Sequence, residues 1–248
     1  MGEDARPGSG VQSVERSFAL LEHIADAGGR ATLSELAAVS GLPAPTTHRL
    51  VRTLVAGGYL RQEPSRAYVL GPRLVRLGDG AGRLLGSAVR PVLAELVEQT
   101  GETANMAVLE DDRVVYLAQV PSKHAMRMFT EVGRRVHTHC TAVGKALLSQ
   151  LPEARVREIV ARAGMPARTP HTITDVDALL EHLDGVRAQG WAADEAEQEL
   201  GVRCIAVPVA ADPTRVAISV SGPDARFTPA ARDRVVPVML AAARDLQL

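Results

Sequence analysis

Five polar side chains within residues 46–52 have the chemistry needed to bind the edges of DNA bases. Two hydroxyls, an imidazole and two guanidinium groups belong to Thr46, Thr47, His48, Arg49 and Arg52. Such groups form hydrogen bonds in the major groove of DNA, which is wide enough to admit an α-helix. Two arginines outside this run, Arg16 and Arg66, are candidates for contacts with phosphates.

A helix-turn-helix would present these side chains on the second of two short helices. The first helix is predicted over Leu33–Val39 from apolar residues three and four positions apart, and Gly41 suits the left-handed conformation that often follows a helix. The second helix is predicted over 45–56, with Leu50 and Leu54 facing inward. An ordinary helical hairpin with a polar face is the alternative for this stretch alone.

Elements on either side complete the pattern of a winged helix. An amphipathic helix capped by Ser13 is predicted over 11–27, and a β-hairpin is predicted from 59–62 and 67–70, with Arg66 at its turn. The apolar stripe of the amphipathic helix is predicted to be Val14, Phe18, Leu21, Ile24 and Ala25. The order helix, helix, helix, hairpin is typical of a winged helix-turn-helix domain, here over 11–72.

Charge and composition limit the classes of function. A net charge of −1 over 248 residues argues against a general polyanion binder, but five arginines and one glutamate between residues 43 and 73 leave a local charge of +4. The two cysteines, Cys140 and Cys204, do not have metal-type spacing. We expect a cytoplasmic protein with reduced thiols and no membrane association, because we identify neither a signal peptide nor an apolar run of membrane length.

The rest of the chain alternates helices and strands. A linker helix weakened by three glycines is predicted over 73–86, and the first ten residues are predicted to be disordered or a short arm. Further helices are predicted over 87–99, 141–151, 153–163, 176–189 and 229–246, and strands over 103–109, 114–120, 126–130, 192–197, 202–210 and 215–221, the last two strands joined by a turn at 211–214. This pattern favours an α+β domain over 87–248 with a largely antiparallel sheet.

Seven segments, taken together and in order, resemble the IclR family of bacterial transcription regulators over nearly the full chain. They are Val11–Arg16, Gly41–Leu50, Gly101–Leu109, Met126–Met128, Ala142–Leu148, Gly201–Ala206 and Ile218–Pro223. The resemblance implies a winged helix, a linker helix and a GAF-like effector-binding domain. It also implies binding to double-stranded operator DNA of near-palindromic sequence, as a homodimer or a tetramer.

Within that family, the segments beginning at Gly101 and Met126 are most similar to the branch of the glyoxylate-bypass and allantoin-pathway repressors. This likeness implies a repressor that senses a small carboxylate, such as glyoxylate, another 2-oxo acid or a ureide-pathway metabolite. The same resemblance implies that the effector pocket contains Met126, Met128, Ala142, Val143, Asp194, Cys204, Ser219 and Ser221.

Elementary chemistry is compatible with these pocket residues and leaves alternatives. Ala142 and Val143 begin a predicted helix, whose first backbone N–H groups can bind a carboxylate without a basic side chain. The alternative is a buried helix start capped by Thr141 alone.

Ser219 and Ser221 alternate along a strand and therefore share a face. Cys204 could instead be a small buried hydrophobe, Asp194 a capping or paired carboxylate, and Met126 and Met128 part of a core.

Two other patterns indicate chemistry that we do not favour. His137, His139 and Cys140 resemble a metal cluster, but the two histidines fit an extended segment more simply. The carboxylates between 194 and 199 could support acid–base catalysis, but their mixed phases are typical of a solvated edge. We therefore expect no metal, no cofactor and no enzyme activity. The competing hypothesis is a small-molecule sensor or enzyme whose N-terminal helices contact only proteins.

Overall fold

The computed structural model describes residues 11–210 and 214–246, and the chain divides into two compact units between Ala81 and Gly82. This division falls inside the segment 73–86 that the sequence predicts as a linker. The predictions for the first ten residues and for the turn beginning at 211 concern residues outside the described ranges. None of the described helices is long and apolar enough to cross a membrane.

The first unit contains three helices and a small antiparallel sheet in the order of a winged helix. Its elements are α1 (Gln12–Asp26), β1 (Arg30–Ala31), α2 (Leu33–Ser40), α3 (Ala44–Ala56), β2 (Leu60–Gln62) and β3 (Tyr68–Leu70). Strand β3 lies between β1 and β2. The predicted winged helix-turn-helix is confirmed. The two-residue strand β1, which is too short to show a periodic pattern, adds a third strand to the predicted hairpin.

Local hydrogen bonds and one left-handed glycine define the ends of α2. The Thr32 hydroxyl accepts a hydrogen bond from the Glu35 backbone N–H (3.3 Å), and the Glu35 carboxylate accepts one from the Thr32 N–H (2.7 Å). This capping box satisfies two donors that the helix leaves free. Gly41 follows α2 with a φ of 64°, which costs glycine less than other residues. The left-handed Gly41 agrees with the prediction, whereas the capping box at Thr32 was not predicted.

Helix α1 packs differently from the prediction. Its buried residues are Leu20, Leu21 and Ile24. Val14 and Phe18 are 49% and 62% exposed, and Ala25 is exposed as well. Ser13 lies inside the helix and makes no cap. The predicted stripe is therefore wrong at Val14, Phe18 and Ala25, because only the side chains at 20, 21 and 24 reach the core of this unit.

A single helix, α4 (Arg73–Thr100), occupies the region where the sequence predicts two. The glycines cost up to about 1 kcal/mol each in helix propensity, but no turn sequence separates the two halves. Pro91 is accommodated inside the helix. The predicted break between 86 and 87 is therefore wrong. The part of α4 from Val89 to Val97 contributes four buried residues to the core of the second unit.

The second unit is built on a six-stranded antiparallel sheet in the order β6-β5-β4-β9-β8-β7. Its further elements are β4 (Thr103–Glu110), β5 (Arg113–Val120), β6 (Arg135–His137), α5 (Ala142–Leu148), α6 (Glu153–Ala163), α7 (Val176–Gln189), β7 (Ala192–Glu195), β8 (Val202–Val209), β9 (Val216–Pro223) and α8 (Pro229–Asp245). The predicted α+β class is confirmed. The predicted strand over 126–130 is wrong, because β6 pairs with β5 in its place.

The two faces of this sheet carry side chains of different size. One face, which contacts α8 and part of α4, has large apolar residues such as Met106 and Ile218. The other, which contacts α5, has small residues such as Ala206 and Ala217. Helix α5 approaches its surroundings closely, because a Cβ at Gly144 would lie 2.2 Å from the Thr138 carbonyl oxygen. Small residues on this face leave space between the sheet and the start of α5.

Candidate functional site

The exposed face of α3 carries most of the residues that are predicted to read DNA. His48, Arg49 and Arg52 are exposed, and Thr46 is half-buried. The opposite side of α3 is buried in the core, where Leu50 packs. Helix α3 therefore presents an imidazole and two guanidinium groups to solvent.

Thr47 belongs to the core side of the same helix. Its side chain is fully buried, and its hydroxyl donates a hydrogen bond to the Pro43 carbonyl oxygen at 3.3 Å. A hydroxyl held in this way cannot reach a base edge, so the predicted DNA contact of Thr47 is wrong. The periodicity of α3 places Thr47 beside Leu50 and Val51, which are buried with it.

The turn between β2 and β3 displays Arg66. The backbone N–H of Arg66 donates to the Glu63 carbonyl oxygen at 2.9 Å, and Glu63 forms an ion pair with Arg30 at 2.7 Å. Arg66 is exposed and has a φ of 66°, an uncommon conformation for a residue other than glycine. Arg16, the other predicted phosphate contact, is exposed on α1.

A cavity of about 70 Å³ lies in the second unit, on the face of the sheet that α5 contacts. Five of the eight predicted effector residues line it: Met128, Ala142, Asp194, Cys204 and Ser221. They come from the segment after β5, from the start of α5 and from strands β7, β8 and β9. The structure thus brings together residues that are up to about a hundred positions apart in the chain.

Three predicted effector residues do not line this cavity. Met126 is 73% exposed, in a segment without regular structure. Val143 is fully buried within the core under α5, so its side chain is a packing residue. Ser219 is also fully buried, and its hydroxyl makes no hydrogen bond to a described residue. The side chain of Val143 therefore does not narrow the cavity.

Sequence reasoning missed several residues that line the cavity. They are Tyr116, Phe129, Thr130, Arg134, Val136, Thr141, Gln198, Glu199 and Val202. The start of α5 therefore does not have to bind a carboxylate without a basic side chain, because Arg134 also lines the cavity. The segment 121–134 reaches the cavity because it is not a strand, and no local pattern predicts that irregular path.

Helix α5 begins at the cavity as predicted. The Thr141 hydroxyl accepts a hydrogen bond from the Gly144 N–H (3.2 Å) and donates one to the His137 carbonyl oxygen (3.0 Å). Thr141 therefore caps the helix while its neighbour Ala142 lines the cavity. The cap of the alternative interpretation is therefore present beside the cavity, and carboxylate binding by this helix start stays a prediction.

Asp194 is the buried carboxylate of the cavity. Its Oδ1 accepts hydrogen bonds from the backbone N–H groups of Glu197 (2.7 Å) and Gln198 (3.4 Å). Burial, opposed by these hydrogen bonds, raises the pKa of Asp194 to about 7. Burial also raises the pKa of the Cys204 thiol and of the Tyr116 hydroxyl, so both groups are neutral.

A buried ion pair lies behind this carboxylate. Lys145 of α5 is fully buried and binds Glu197, which is 6% exposed. The Cys140 thiol donates to the Gln198 side-chain oxygen at 2.9 Å. The prediction of a solvated edge over 194–199 is therefore wrong for Asp194 and Glu197, because the turn after β7 folds inward against α5.

The two histidines before α5 have structural partners. His137 contacts Arg113, and its pKa is lowered to about 4 by burial and by the charge of Arg113. His139 lies within hydrogen-bonding distance (3.2 Å) of the Pro166 carbonyl oxygen. Within residues 11–210 and 214–246, no group of three or more His, Cys, Asp or Glu side chains is arranged to hold a metal ion.

A winged helix-turn-helix with an exposed polar α3, followed by an α+β unit with a polar cavity, defines the class of DNA-binding transcription regulators. A family model described as the IclR helix-turn-helix domain matches residues 13–64. Another, described as bacterial transcriptional regulator IclR C-terminal, matches residues 83–248. The chain belongs to the IclR family.

Individual relatives agree with this assignment. The chain is 37% identical over 248 residues to the transcriptional repressor IclR of Escherichia coli strain K12, with 96% of this chain and 89% of that protein covered. The crystal structure of an IclR transcriptional regulator from Alicyclobacillus acidocaldarius has a TM-score of 0.80 at 28% identity, covering 95% of this chain and 97% of that one. An IclR homolog from Microbacterium hydrocarbonoxydans, complexed with 4-hydroxybenzoate, has a TM-score of 0.73 at 26% identity, covering 93% and 95%.

Proposed function

We propose that this regulator is a repressor whose affinity for its operator changes when a small carboxylate enters the cavity of the second unit. The observation that carries the proposal is the cavity itself, which combines a volume of about 70 Å³ with an arginine and several hydroxyl groups. We further propose that the protein acts as a homodimer or tetramer on a near-palindromic operator, because two-fold related recognition helices read two half-sites.

The DNA contacts follow from the groups that the first unit exposes. Arg49 and Arg52 can each form paired hydrogen bonds with a guanine, and His48 and Thr46 supply further donors and acceptors. Arg66 and Arg16 are exposed at other points of the unit and suit phosphate contacts, which position a domain without reading sequence.

The volume of the cavity limits the size of the effector. A cavity of about 70 Å³ is small beside the roughly 300–1,000 Å³ of ordinary ligand pockets, which favours a small effector. Glyoxylate and other short 2-oxo acids suit such a cavity better than an aromatic ring bearing a carboxylate. The relative solved with 4-hydroxybenzoate makes that compound the most informative competitor.

The polar groups of the cavity suit one carboxylate with one further oxygen. Arg134 offers a guanidinium group, and Ser221 and Tyr116 offer hydroxyl donors. The first backbone N–H groups of α5, at Ala142 and Val143, add partial positive charge, although the helix has only seven residues. One guanidinium group and a helix start with partial positive charge fit a monoanion better than a dianion.

Calorimetric titration with glyoxylate, pyruvate, allantoate and 4-hydroxybenzoate tests the effector class. We expect the 2-oxo acids to bind most tightly and to change operator affinity in a gel shift with DNA from upstream of the regulator's own gene. If 4-hydroxybenzoate binds and the small acids do not, the cavity is larger and more apolar than we propose.

A pair of neighbouring arginines provides a matched test of the cavity. Arg134→Gln removes the guanidinium group that lines it and should weaken carboxylate binding by about 1.5–3 kcal/mol, the usual contribution of a hydrogen bond to a charged group. Arg135→Gln is the control, because Arg135 forms an ion pair with Glu110 (2.6 Å) and does not line the cavity. Equal effects of both substitutions would contradict a direct contact.

A further inference from the structure

We propose that Asp194 binds the effector as a carboxylic acid, with a proton on Oδ2 that it donates to the effector's carboxylate, so that binding takes up a proton from solvent near and above neutral pH. The inference rests on the proposed function, because it states how the same cavity accepts an anion beside a buried acidic residue. Asp194 is then a determinant of specificity for ligands that carry an anionic hydrogen-bond acceptor.

The geometry leaves one oxygen of Asp194 for a ligand. The side chain lines the cavity and is only 4% exposed. Oδ1 is occupied by the N–H groups of Glu197 and Gln198, in a turn where Ala196 has a φ of 61°. Among the described residues, no donor forms a hydrogen bond with Oδ2. That atom is therefore available to a molecule in the cavity.

The chemistry of two carboxyl groups in one small space requires a proton. An ionised carboxylate accepts hydrogen bonds and donates none, so an ionised Asp194 would face an ionised effector with like charge and no donor. Protonation of Oδ2 converts this repulsion into an O–H···O⁻ hydrogen bond, which is among the shorter and stronger kinds. The proton enters from solvent, and no covalent bond to carbon is made or broken.

The charged groups around Asp194 do not replace this proton. Lys145 of α5 is already paired with Glu197, so the two charges oppose each other beside Asp194. Arg134, on the segment before β6, and Glu199, in the turn after β7, are both exposed to solvent. Solvent screens exposed charges, so each acts weakly on a buried group.

The remaining titratable neighbours stay neutral around pH 7. Burial raises the pKa of Cys204 on β8 and Tyr116 on β5, and raises that of Cys140 to about 12. The pKa values of His137 and His139 are lowered, mainly by burial. Asp194, whose pKa is raised to about 7, is therefore the cavity group that exchanges a proton between pH 6 and pH 8.

Calorimetric titration of the full chain with glyoxylate and pyruvate at pH 6, 7 and 8, in two buffers of different protonation enthalpy, tests this inference. Both ligands remain ionised throughout this range. We expect the Kd to rise about tenfold from pH 6 to pH 8, with nearly one proton taken up per site at pH 8.

Asp194→Asn is the decisive variant because it mimics the protonated acid. Its amide oxygen can accept the two backbone hydrogen bonds, and its amide nitrogen places a donor at the position of Oδ2. We expect its Kd to be independent of pH and close to the wild-type value at pH 6. Glu195→Gln is the matched control, because Glu195 is exposed, forms an ion pair with Arg203 (2.7 Å) and should keep the wild-type pH dependence.

Three results would overturn the inference in distinguishable ways. A wild-type Kd that is constant from pH 6 to pH 8, without proton uptake, would overturn protonation and leave the effector class standing. Loss of binding in a folded Asp194→Asn protein would show that the ionised form is required. Failure of all carboxylates to bind either protein at pH 6 would overturn the proposed function as well. If the Asp194→Asn variant does not fold, the pH dependence of the wild-type Kd and the measured proton uptake are sufficient to test the inference.

Discussion

The two candidate sites of this regulator use charge in opposite ways. On the first unit, Arg49, Arg52 and Arg66 are exposed, so their charges are hydrated in the absence of DNA. In the second unit, Lys145 and Glu197 are buried, and each is stable only because the other is present. Substitutions of these exposed arginines should therefore change DNA affinity and leave stability intact, whereas substitutions of the buried pair should lower stability.

The largest effect is expected when the buried ion pair is broken. Lys145→Met leaves Glu197 buried without its partner and should lower the free energy of unfolding by about 3–5 kcal/mol. Denaturation in urea measures this change. Lys123→Met is the control, because its ion pair with Glu98 lies at the surface and should contribute little. The double variant Lys145→Met with Glu197→Met should recover much of the loss. If Lys145→Met alone were as stable as the wild type, the buried pair would not differ from the exposed charges of the first unit in its contribution to stability.

The second expected effect is a pH dependence of stability that belongs to Asp194. Its pKa is about 7 in the folded protein against an ordinary value of 3.8, so the folded state binds more protons than the unfolded state between these values. The stabilisation is complete below about pH 4 and is lost as the pH rises through about 7, with a slope of up to about 1.4 kcal/mol per pH unit.

The difference between the unfolding free energies of the wild type and Asp194→Asn isolates this contribution. Urea denaturation between pH 4.5 and pH 8 should show the wild type losing stability relative to the variant as the pH rises. A difference that does not vary with pH would mean that Asp194 is ionised across the whole range.

The third expectation separates two neighbouring residues of α3. Arg49→Ala should weaken binding to the specific operator by about 1–3 kcal/mol and leave the unfolding free energy unchanged. Thr47→Val should do the reverse, because it removes the buried hydrogen bond to Pro43 at a cost of about 1 kcal/mol in stability. Operator titrations and thermal melts of both variants measure the two quantities. Loss of stability in Arg49→Ala would contradict its assignment to a purely exposed surface.

The smallest expected effect lies at the turn between β2 and β3. Arg66→Ala should weaken binding to all DNA sequences equally and reduce the slope of log affinity against log salt by about 1, as expected for one lost phosphate contact. Affinity titrations at several salt concentrations, with operator and unrelated DNA, measure both. A change confined to one base position would assign Arg66 to base recognition instead.

The first unit was largely predictable because its signals are local. The left-handed Gly41 and the period of α3 each lie within a few residues, so they can be recognised in the sequence without knowledge of tertiary contacts. The capping box at Thr32 is equally local, although it was not predicted. Thr47 was misassigned for a reason that is also local, since its position in the helical period faces the core. The exposed Val14 and Phe18 could not be foreseen, because apolar periodicity alone does not tell how far along α1 the core extends.

The cavity was predictable only in part, and through resemblance rather than pattern. Met128, Ala142 and Asp194 line it as the family resemblance implies, but Arg134 and Tyr116 were missed. Arg134 reaches the cavity from a segment without regular structure, and Tyr116 is one of many alternating residues on β5. Neither position is marked by a spacing that sequence reasoning could use.

Sequence by itself determined the winged helix and the α+β class, because turns and periodicity act over short distances, and it indicated the family through the resemblance of seven segments. Only the tertiary structure decided which side chains share the cavity and which charges are buried. Lys145, Glu197 and Asp194 are separated by up to about fifty positions in the chain, yet Lys145 pairs with Glu197 and both act on the pKa of Asp194. Burial removes water from around such groups, and the free energy of a charge then depends on neighbours that only the folded chain brings together.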